Sequence, residues 1–91
     1  MPKPMSEEHS IRCSQRVVDD VLKERDYQRG RWSIEEDVLH SDCEWITILT
    51  TWLGKAGSSA RGGDRSTFRK RLVQIAAISM AAIEALDRDA R

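Results

Sequence analysis

Basic and aromatic side chains are the residues of this sequence that could do chemistry. Between residues 61 and 71 the single acid is Asp64, and the cations are Arg61, Arg65, Arg69, Lys70 and Arg71. Arg and Lys bind phosphate directly, and a helix beginning near Asp64 would add its positive N-terminal end. Trp45 and Trp52 are seven residues apart, two turns along one helix face, where they would form a core seam or a platform for a planar base.

Length and net charge exclude several classes of protein. Ninety-one residues allow one domain, and fifteen basic residues balance fifteen acidic ones. The balance argues against a coat for long nucleic acid and against a polybasic membrane anchor. Cys13 and Cys43 have no metal-ligand spacing, so we expect two reduced thiols in a cytoplasmic protein without a metal or a cofactor. The sequence contains no apolar run of the eighteen or so residues that span a membrane.

The spacing of apolar residues predicts an all-α fold with three main helices. Residues 1–9 include two prolines and are expected to form a flexible N-terminal tail, followed by a single all-α domain over 10–91. A three-helix chain of this length buries a modest core. We therefore expect a homo-oligomer, either a dimer or a tetramer.

The first predicted helix is capped by Ser10 or Ser14 and runs to about Arg29. Gly30 would end it in a left-handed conformation. The connection that follows lacks a helical stripe, and we expect it to contain a short turn over Ser33–Glu36 that begins with a capping box.

Two longer helices are predicted in the second half of the chain. Asp42 would cap a helix extending to about Ser59, and Asp64 or Ser66 would cap a helix extending to about Asp87. We expect the apolar stretch 44–56 to be the scaffold that the rest of the chain faces. The last helix is apolar round most of its circumference, so it should also be central or shared between protomers. Its small residues would allow close helix approach; they are Ala76, Ala77, Ala81 and Ala82.

Several ordered pieces of the sequence resemble a known family. They are Glu24-Arg25-x-x-Gln28-x-x-x-Trp32, Glu44-Trp45-Ile46-x-Ile48-Leu49, Gly54-x-Ala56, Phe68-Arg69-x-x-Leu72-Val73-Gln74-Ile75-Ala76-Ala77 and Ala81-Ala82-Ile83-Glu84-x-x-Asp87-Arg88. Over residues 17–88 the chain resembles the small MazG-like proteins of the all-α NTP pyrophosphatase superfamily. The resemblance implies a helical bundle completed by homo-oligomerisation, and similar short proteins occur in tailed-phage genomes.

The resemblance also implies that a metal site has been lost. Active members carry an E-E-x-x-E pattern on one helix and E-x-x-D on the next, which together hold Mg²⁺ against the phosphates. The first pattern falls on Thr51, Trp52 and Lys55, and the second falls on Arg71 and Gln74. None of the five is a carboxylate. Lys55 and Arg71 would instead hold phosphate directly, in the old metal position.

We therefore expect a catalytically inactive, nucleotide-binding protein. In a phage, its task would be to sequester a cyclic nucleotide signal of bacterial defence in the host cytoplasm. The predicted ligand-binding residues are Trp52, Lys55, Arg61, Arg65, Arg69, Arg71, Gln74 and Trp32.

Two alternatives stay open. The first is a Mg²⁺-dependent NTP pyrophosphatase that takes its carboxylates from elsewhere, namely Glu35, Glu36, Asp37 and Glu44. The second is a structural or protein-binding phage accessory protein in which Lys55 and Arg71 are simply solvated.

Overall fold

Four α-helices joined by short connections make up the fold. They are α1 (Glu7–Arg31), α2 (Ile34–Leu39), α3 (Asp42–Arg61) and α4 (Arg65–Arg88). The structure is a computed structural model, and it describes residues 6–32 and 34–89, apart from the side chains of residues 34 and 35. Within those ranges there is no strand, so the predicted all-α class is confirmed. None of the described helices is long and apolar enough to cross a membrane.

The helix at the centre of the fold is α4. It packs against α1, α2 and α3, whereas the sequence pointed first to the stretch 44–56 as the scaffold. Its small residues explain the role, because Ala77, Ala81 and Ala85 are at most 5% exposed and let neighbouring helices approach closely. Ala77 and Ala81 were predicted to do this, and Ala85 extends the same face by one turn. The stretch 44–56 lies in α3, on one side of α4.

Side-chain caps fix where the helices begin. Ser6 Oγ accepts a hydrogen bond from the backbone N–H of His9 at 3.1 Å. Helix α1 therefore starts one turn before the predicted caps at Ser10 or Ser14, and residues 7–9 of the predicted tail are helical. Residues 1–5 of that tail lie outside the described residues.

Of the predicted caps of α3 and α4, the first is wrong and the second is confirmed. The N-cap of α3 is Ser41 and not the predicted Asp42. Ser41 forms a reciprocal capping box with Glu44. This pattern has the serine and the glutamate three residues apart, as the motif requires. Asp64 caps α4 as predicted, accepting from the N–H of Thr67 at 3.0 Å.

The connection between α1 and α3 is more helical than its sequence suggested. Gly30 does not end α1: the helix continues to Arg31, and the N–H of Trp32 closes it on the carbonyl of Gln28 at 2.9 Å. Among the described residues the one positive φ belongs to Gly63, at 73°. The predicted turn over 33–36 is replaced by the six-residue α2. The proposed cap Ser33 lies outside the described residues.

The buried core is small, and much apolar surface is left exposed. Trp45, Ile78, Ala81 and Ala85 form its main cluster. The first half of α1 contributes nothing, since no residue from 7 to 19 is buried. The radius of gyration is 15.5 Å, against about 12 Å for a compact chain of this length. Helix α1, roughly 37 Å long at its 25 residues, therefore projects beyond the bundle.

Substituting two glycines by alanine tests this description of the helix ends. A Cβ at Gly30 would meet no heavy atom within 4 Å, so Gly30→Ala should stabilise the fold by about 0.5–1 kcal/mol, the ordinary gain in a helix interior. Gly63→Ala should destabilise it by about 1–2 kcal/mol, because its φ is left-handed. Urea unfolding measures both variants. A destabilised Gly30→Ala protein would show that Gly30 terminates the helix after all.

Candidate ligand-binding cavity

Residues from all four helices line a cavity of about 360 Å³. That volume lies at the lower end of the range of small-molecule sites in proteins. Its apolar lining is dominated by indoles and consists of Trp32, Trp45, Ile48, Trp52, Ile78 and Ala81. Its polar lining consists of Arg25, Gln28, Glu36, Asp37 and His40. A planar, largely apolar ligand with a polar edge matches this distribution.

Helix α3 supplies the aromatic wall of the cavity. Trp45 and Trp52 stand two turns apart on one face, as their spacing predicted. Trp45 is 7% exposed and packs with Ile78 and Ala81 in the core, while the His40 ring meets it edge-on at 4.9 Å. Trp45 is thus both a core residue and a rigid cavity wall. Trp52 is only half-buried, so it remains accessible at the mouth.

Trp32 joins this wall from the end of α1. The extension of α1 through Gly30 places it there, and the guanidinium of Arg31 lies 5.8 Å from the centre of its ring. Trp32 keeps 45% of its surface exposed. The structure therefore brings together Trp32 and Trp52, two residues of the predicted ligand-binding set, at one cavity.

Two cations lie against Trp52. Lys55 Nζ is 4.3 Å from the centre of the Trp52 ring, and Arg71 Cζ is 5.6 Å from it. Arg71 also donates from Nη1 to Gln74 Oε1 at 3.1 Å. The structure thus brings Trp52, Lys55, Arg71 and Gln74 together across the α3–α4 contact, which is the juxtaposition predicted from the sequence. We call these four residues the cationic rim.

None of the five predicted cations lines the cavity itself. Lys55 and Arg71 lie against Trp52, which does line it. Arg69 lies about 200° round α4 from Arg71 and donates to Asp20 Oδ2 on α1 at 2.7 Å. Arg69 thus faces α1 and not the cationic rim, because residues two apart on a helix point to nearly opposite sides. Arg61 bonds to Ser58 Oγ at 3.3 Å near the end of α3. Arg65 is exposed in the first turn of α4.

The polar corner of the cavity is built around a buried arginine. Arg25 is 1% exposed, and its Nη2 donates to Glu84 Oε2 at 2.9 Å and lies 3.6 Å from Asp37 Oδ2. Arg29 Nη2 reaches the other oxygen of Glu84 at 3.3 Å. We call Arg25, Asp37 and Glu84 the buried charge cluster. It connects α1, α2 and α4.

Gln28 completes this corner. Its amide nitrogen donates to Glu24 Oε2 at 3.1 Å and to the backbone carbonyl of Gln74 at 3.4 Å. Sequence reasoning missed Asp37 and Glu84 as partners of Arg25. The signal was present, because Arg25 falls on the apolar stripe of α1, and a charge on such a stripe requires a countercharge.

Burial and charge act oppositely on the two acids of this cluster. Desolvation raises the pKa of Asp37, although the nearby Arg25 charge opposes the shift. The hydrogen bond from Arg25 holds the pKa of Glu84 below its ordinary value. Glu84 therefore stays ionised more readily and is the main countercharge of Arg25. Asp37 is buried, and its ion pair with Arg25 is the longer of the two.

Among the described residues, no three His, Cys, Asp or Glu side chains lie close enough to hold a metal ion. Of the acids that the pyrophosphatase alternative would use, Glu36 and Asp37 line the cavity. Glu44 caps α3, and the side chain of Glu35 lies outside the described residues. No protein-family model, no curated protein and no solved structure matches the chain. The MazG-like assignment therefore stays a prediction from the sequence motifs.

Removing the charge of Glu84 tests the buried charge cluster. Glu84→Gln should lower the free energy of unfolding at pH 7 by about 2 kcal/mol, since it leaves the Arg25 guanidinium without its nearest countercharge. Urea unfolding of the variant and the wild type gives the difference. Asp26→Asn, which removes the exposed partner of Arg29, is the matched control and should change stability by less than about 0.5 kcal/mol.

The same comparison has a defined pH dependence. Because the folded-state pKa of Glu84 lies below its unfolded value of 4.5, the contribution of its charge is complete above that value and is lost as the pH falls through the folded pKa. The wild type and Glu84→Gln should therefore converge in stability at acid pH. A difference that is equal at pH 7 and pH 3 would contradict the assignment.

Proposed function

We propose that this protein binds a nucleotide-type anion without hydrolysing it. The observation that carries the proposal is that Trp52 belongs to both the aromatic cavity and the cationic rim. A nucleotide is a planar base tethered to a phosphate. A site for it needs an aromatic slot and a cationic edge within one ligand length, and Trp52 is the residue where those two features meet.

The cavity suits the base of such a ligand. Base–aromatic stacking contributes roughly 1–3 kcal/mol per base, and three indoles line the cavity. Trp45 is held rigidly by the core, so its ring would need little ordering when a base binds. These features support the binding of a planar heterocycle.

The cationic rim suits the phosphate. Within the described part of the chain, neither Lys55 nor Arg71 forms an ion pair, whereas Arg25, Arg29 and Arg69 all do. Arg71 Nε is buried without a hydrogen-bond partner. An arginine with a spare donor and a lysine without an ion pair, both close to Trp52, are well matched to phosphate oxygens. Since Lys55 and Arg71 occupy positions where the resemblance would place metal ligands, they would bind the anion in place of a metal.

The proposed biological role follows from binding without turnover. A phage protein of this kind would sequester a cyclic nucleotide signal of bacterial defence, for which tight retention is sufficient. The sequence resemblance and the missing carboxylates support this setting. The presence of Glu36 and Asp37 at the cavity keeps the second candidate, a Mg²⁺-dependent pyrophosphatase, in the test below.

Binding and fate of the ligand are tested together. Purified protein is titrated by calorimetry with mononucleotides, nucleoside triphosphates and cyclic dinucleotides, and the bound ligand is then recovered by heating and identified by mass spectrometry. We expect binding of at least one member and recovery of intact ligand. Pyrophosphate released from a triphosphate in the presence of Mg²⁺ would favour the enzyme, and folded protein that binds no member would refute the proposal.

Substitutions at the cationic rim locate the phosphate. Lys55→Ala and Arg71→Ala should each weaken binding about tenfold, because each removes a charge-assisted contact. Lys23→Ala, a change of an exposed lysine on α1, is the matched control and should bind as the wild type does. Circular dichroism checks that all three variants keep their helices. Unchanged binding by both rim variants would favour a structural or protein-binding role.

We also propose that the protein forms a homo-oligomer. Large apolar side chains are exposed on each long helix, among them Ile11 and Val18 on α1, Leu53 on α3 and Ile83 on α4. Exposed apolar surface on this scale is characteristic of interfaces. Sedimentation velocity should show a dimer or a tetramer, and Ile11→Glu with Val18→Glu should reduce its size. A wild-type monomer at all concentrations would contradict this.

A further inference from the structure

Two charged side chains at the cavity, Arg25 and Asp37, are buried. Arg25 Nε has no partner, although the side chain is among the most buried in the described chain. The Asp37 side chain is 10% exposed, and its ion-pair partner Arg25 Nη2 stands 3.6 Å from Oδ2, farther than a hydrogen bond. The other charged or titratable neighbours of Asp37 are Glu36, His40 and Glu84. Buried polar groups are normally paired. Here an arginine with an unpaired donor and a carboxylate held by one long ion pair line the same cavity.

The guanidinium of Arg25 and the carboxylate of Asp37 determine which hydrogen-bonding groups a ligand must present to bond to both. The guanidinium requires an acceptor. The two oxygens of the carboxylate require donors, and two adjacent donors would pair with both at once. An acceptor next to a pair of donors is therefore the complementary pattern. The amide nitrogen of Gln28 is already bonded to Glu24 and to the Gln74 carbonyl.

One of the common bases carries that pattern on one edge. Guanine presents the O6 acceptor followed by the N1–H and N2–H₂ donors. Adenine presents one amino donor beside an acceptor, cytosine presents one amino donor beside two acceptors, and uracil presents one N–H between two acceptors. In DNA recognition, arginine likewise selects guanine through its O6 and N7 acceptors. Only guanine offers two neighbouring donors to a single carboxylate.

We infer that Asp37 and Arg25 make the cavity selective for guanine nucleotides, with Asp37 accepting from N1–H and N2–H₂ and Arg25 donating to O6. The inference rests on the proposed nucleotide-binding function and specifies its ligand. The base would lie against the α3 indoles while its polar edge meets α1 and α2. Burial raises the pKa of Asp37, and two donors from a base would stabilise its charged form.

The test compares bases on wild-type protein and on Asp37→Asn. Calorimetry measures GMP, IMP, XMP and AMP, together with the cyclic dinucleotides of guanine and of adenine. Wild type should bind guanine ligands at least tenfold more tightly than adenine ligands. IMP, which lacks the 2-amino donor, should bind about fivefold more weakly than GMP, as expected for one lost hydrogen bond.

Asp37→Asn should change the order of preference and not merely reduce affinity. An asparagine amide can donate to the 2-oxo group of xanthine, where the carboxylate would repel it, so XMP should gain affinity while GMP loses it. The Arg25–Glu84 bond at 2.9 Å remains in this variant, which preserves the fold. Asp26→Asn, on the exposed side of α1, should leave the order unchanged.

The outcomes separate this inference from the function on which it rests. Equal or tighter binding of adenine ligands, or an unchanged order in Asp37→Asn, would overturn guanine selectivity and leave nucleotide binding intact. Binding of no ligand in the panel by folded wild-type protein would overturn both. A guanine preference that shifts toward XMP in Asp37→Asn, but not in Asp26→Asn, is the expected result.

Discussion

The buried guanidinium of Arg25 is the constraint on which the arrangement of the helices depends. A charge with 1% exposure is tolerated only when countercharges surround it. Glu84 on α4 and Asp37 on α2 supply them, so the helices carrying these acids must lie close to α1. The apolar core of a single chain is small. The buried charge cluster therefore largely fixes the positions of α1 and α2 against α4. The cavity lies beside this cluster.

Two groups of cations differ in the partners that they contact. Arg25, Arg29 and Arg69 are each paired with a carboxylate from another part of the fold, so they connect helices. Lys55 and Arg71 meet an indole instead. The cavity thus has an acidic, hydrogen-bonding end at Asp37 and a cationic mouth at Trp52. A ligand with a polar base and an anionic tail would find both ends complementary.

The sequence predicted the fold class, Asp64 as the cap of α4, the placement of Trp45 and Trp52 on one helix face and the clustering of Lys55 and Arg71 about Trp52. These features depend on local spacing, which helical geometry converts into position. Arg69 faces α1 although it is two residues from Arg71, because α4 turns by about 200° between the two positions. Glycine at position 30 was taken for a terminator, although the open space around it allows the helix to continue. The position of Arg25 on the apolar stripe of α1 indicates that it needs a countercharge, but the tertiary contacts with Asp37 and Glu84 decide which residues supply it.

The projecting half of α1 has a consequence for the folding of the chain. An isolated helical segment of a dozen residues is marginal in water, since most helical stability in proteins comes from packing. Residues 7–19 bury no side chain within the monomer, and their backbone hydrogen bonds are open to solvent. Their amide hydrogens should exchange through local fraying, well before the bundle itself opens. If a second copy covers them, the helical content of this segment becomes a function of protein concentration.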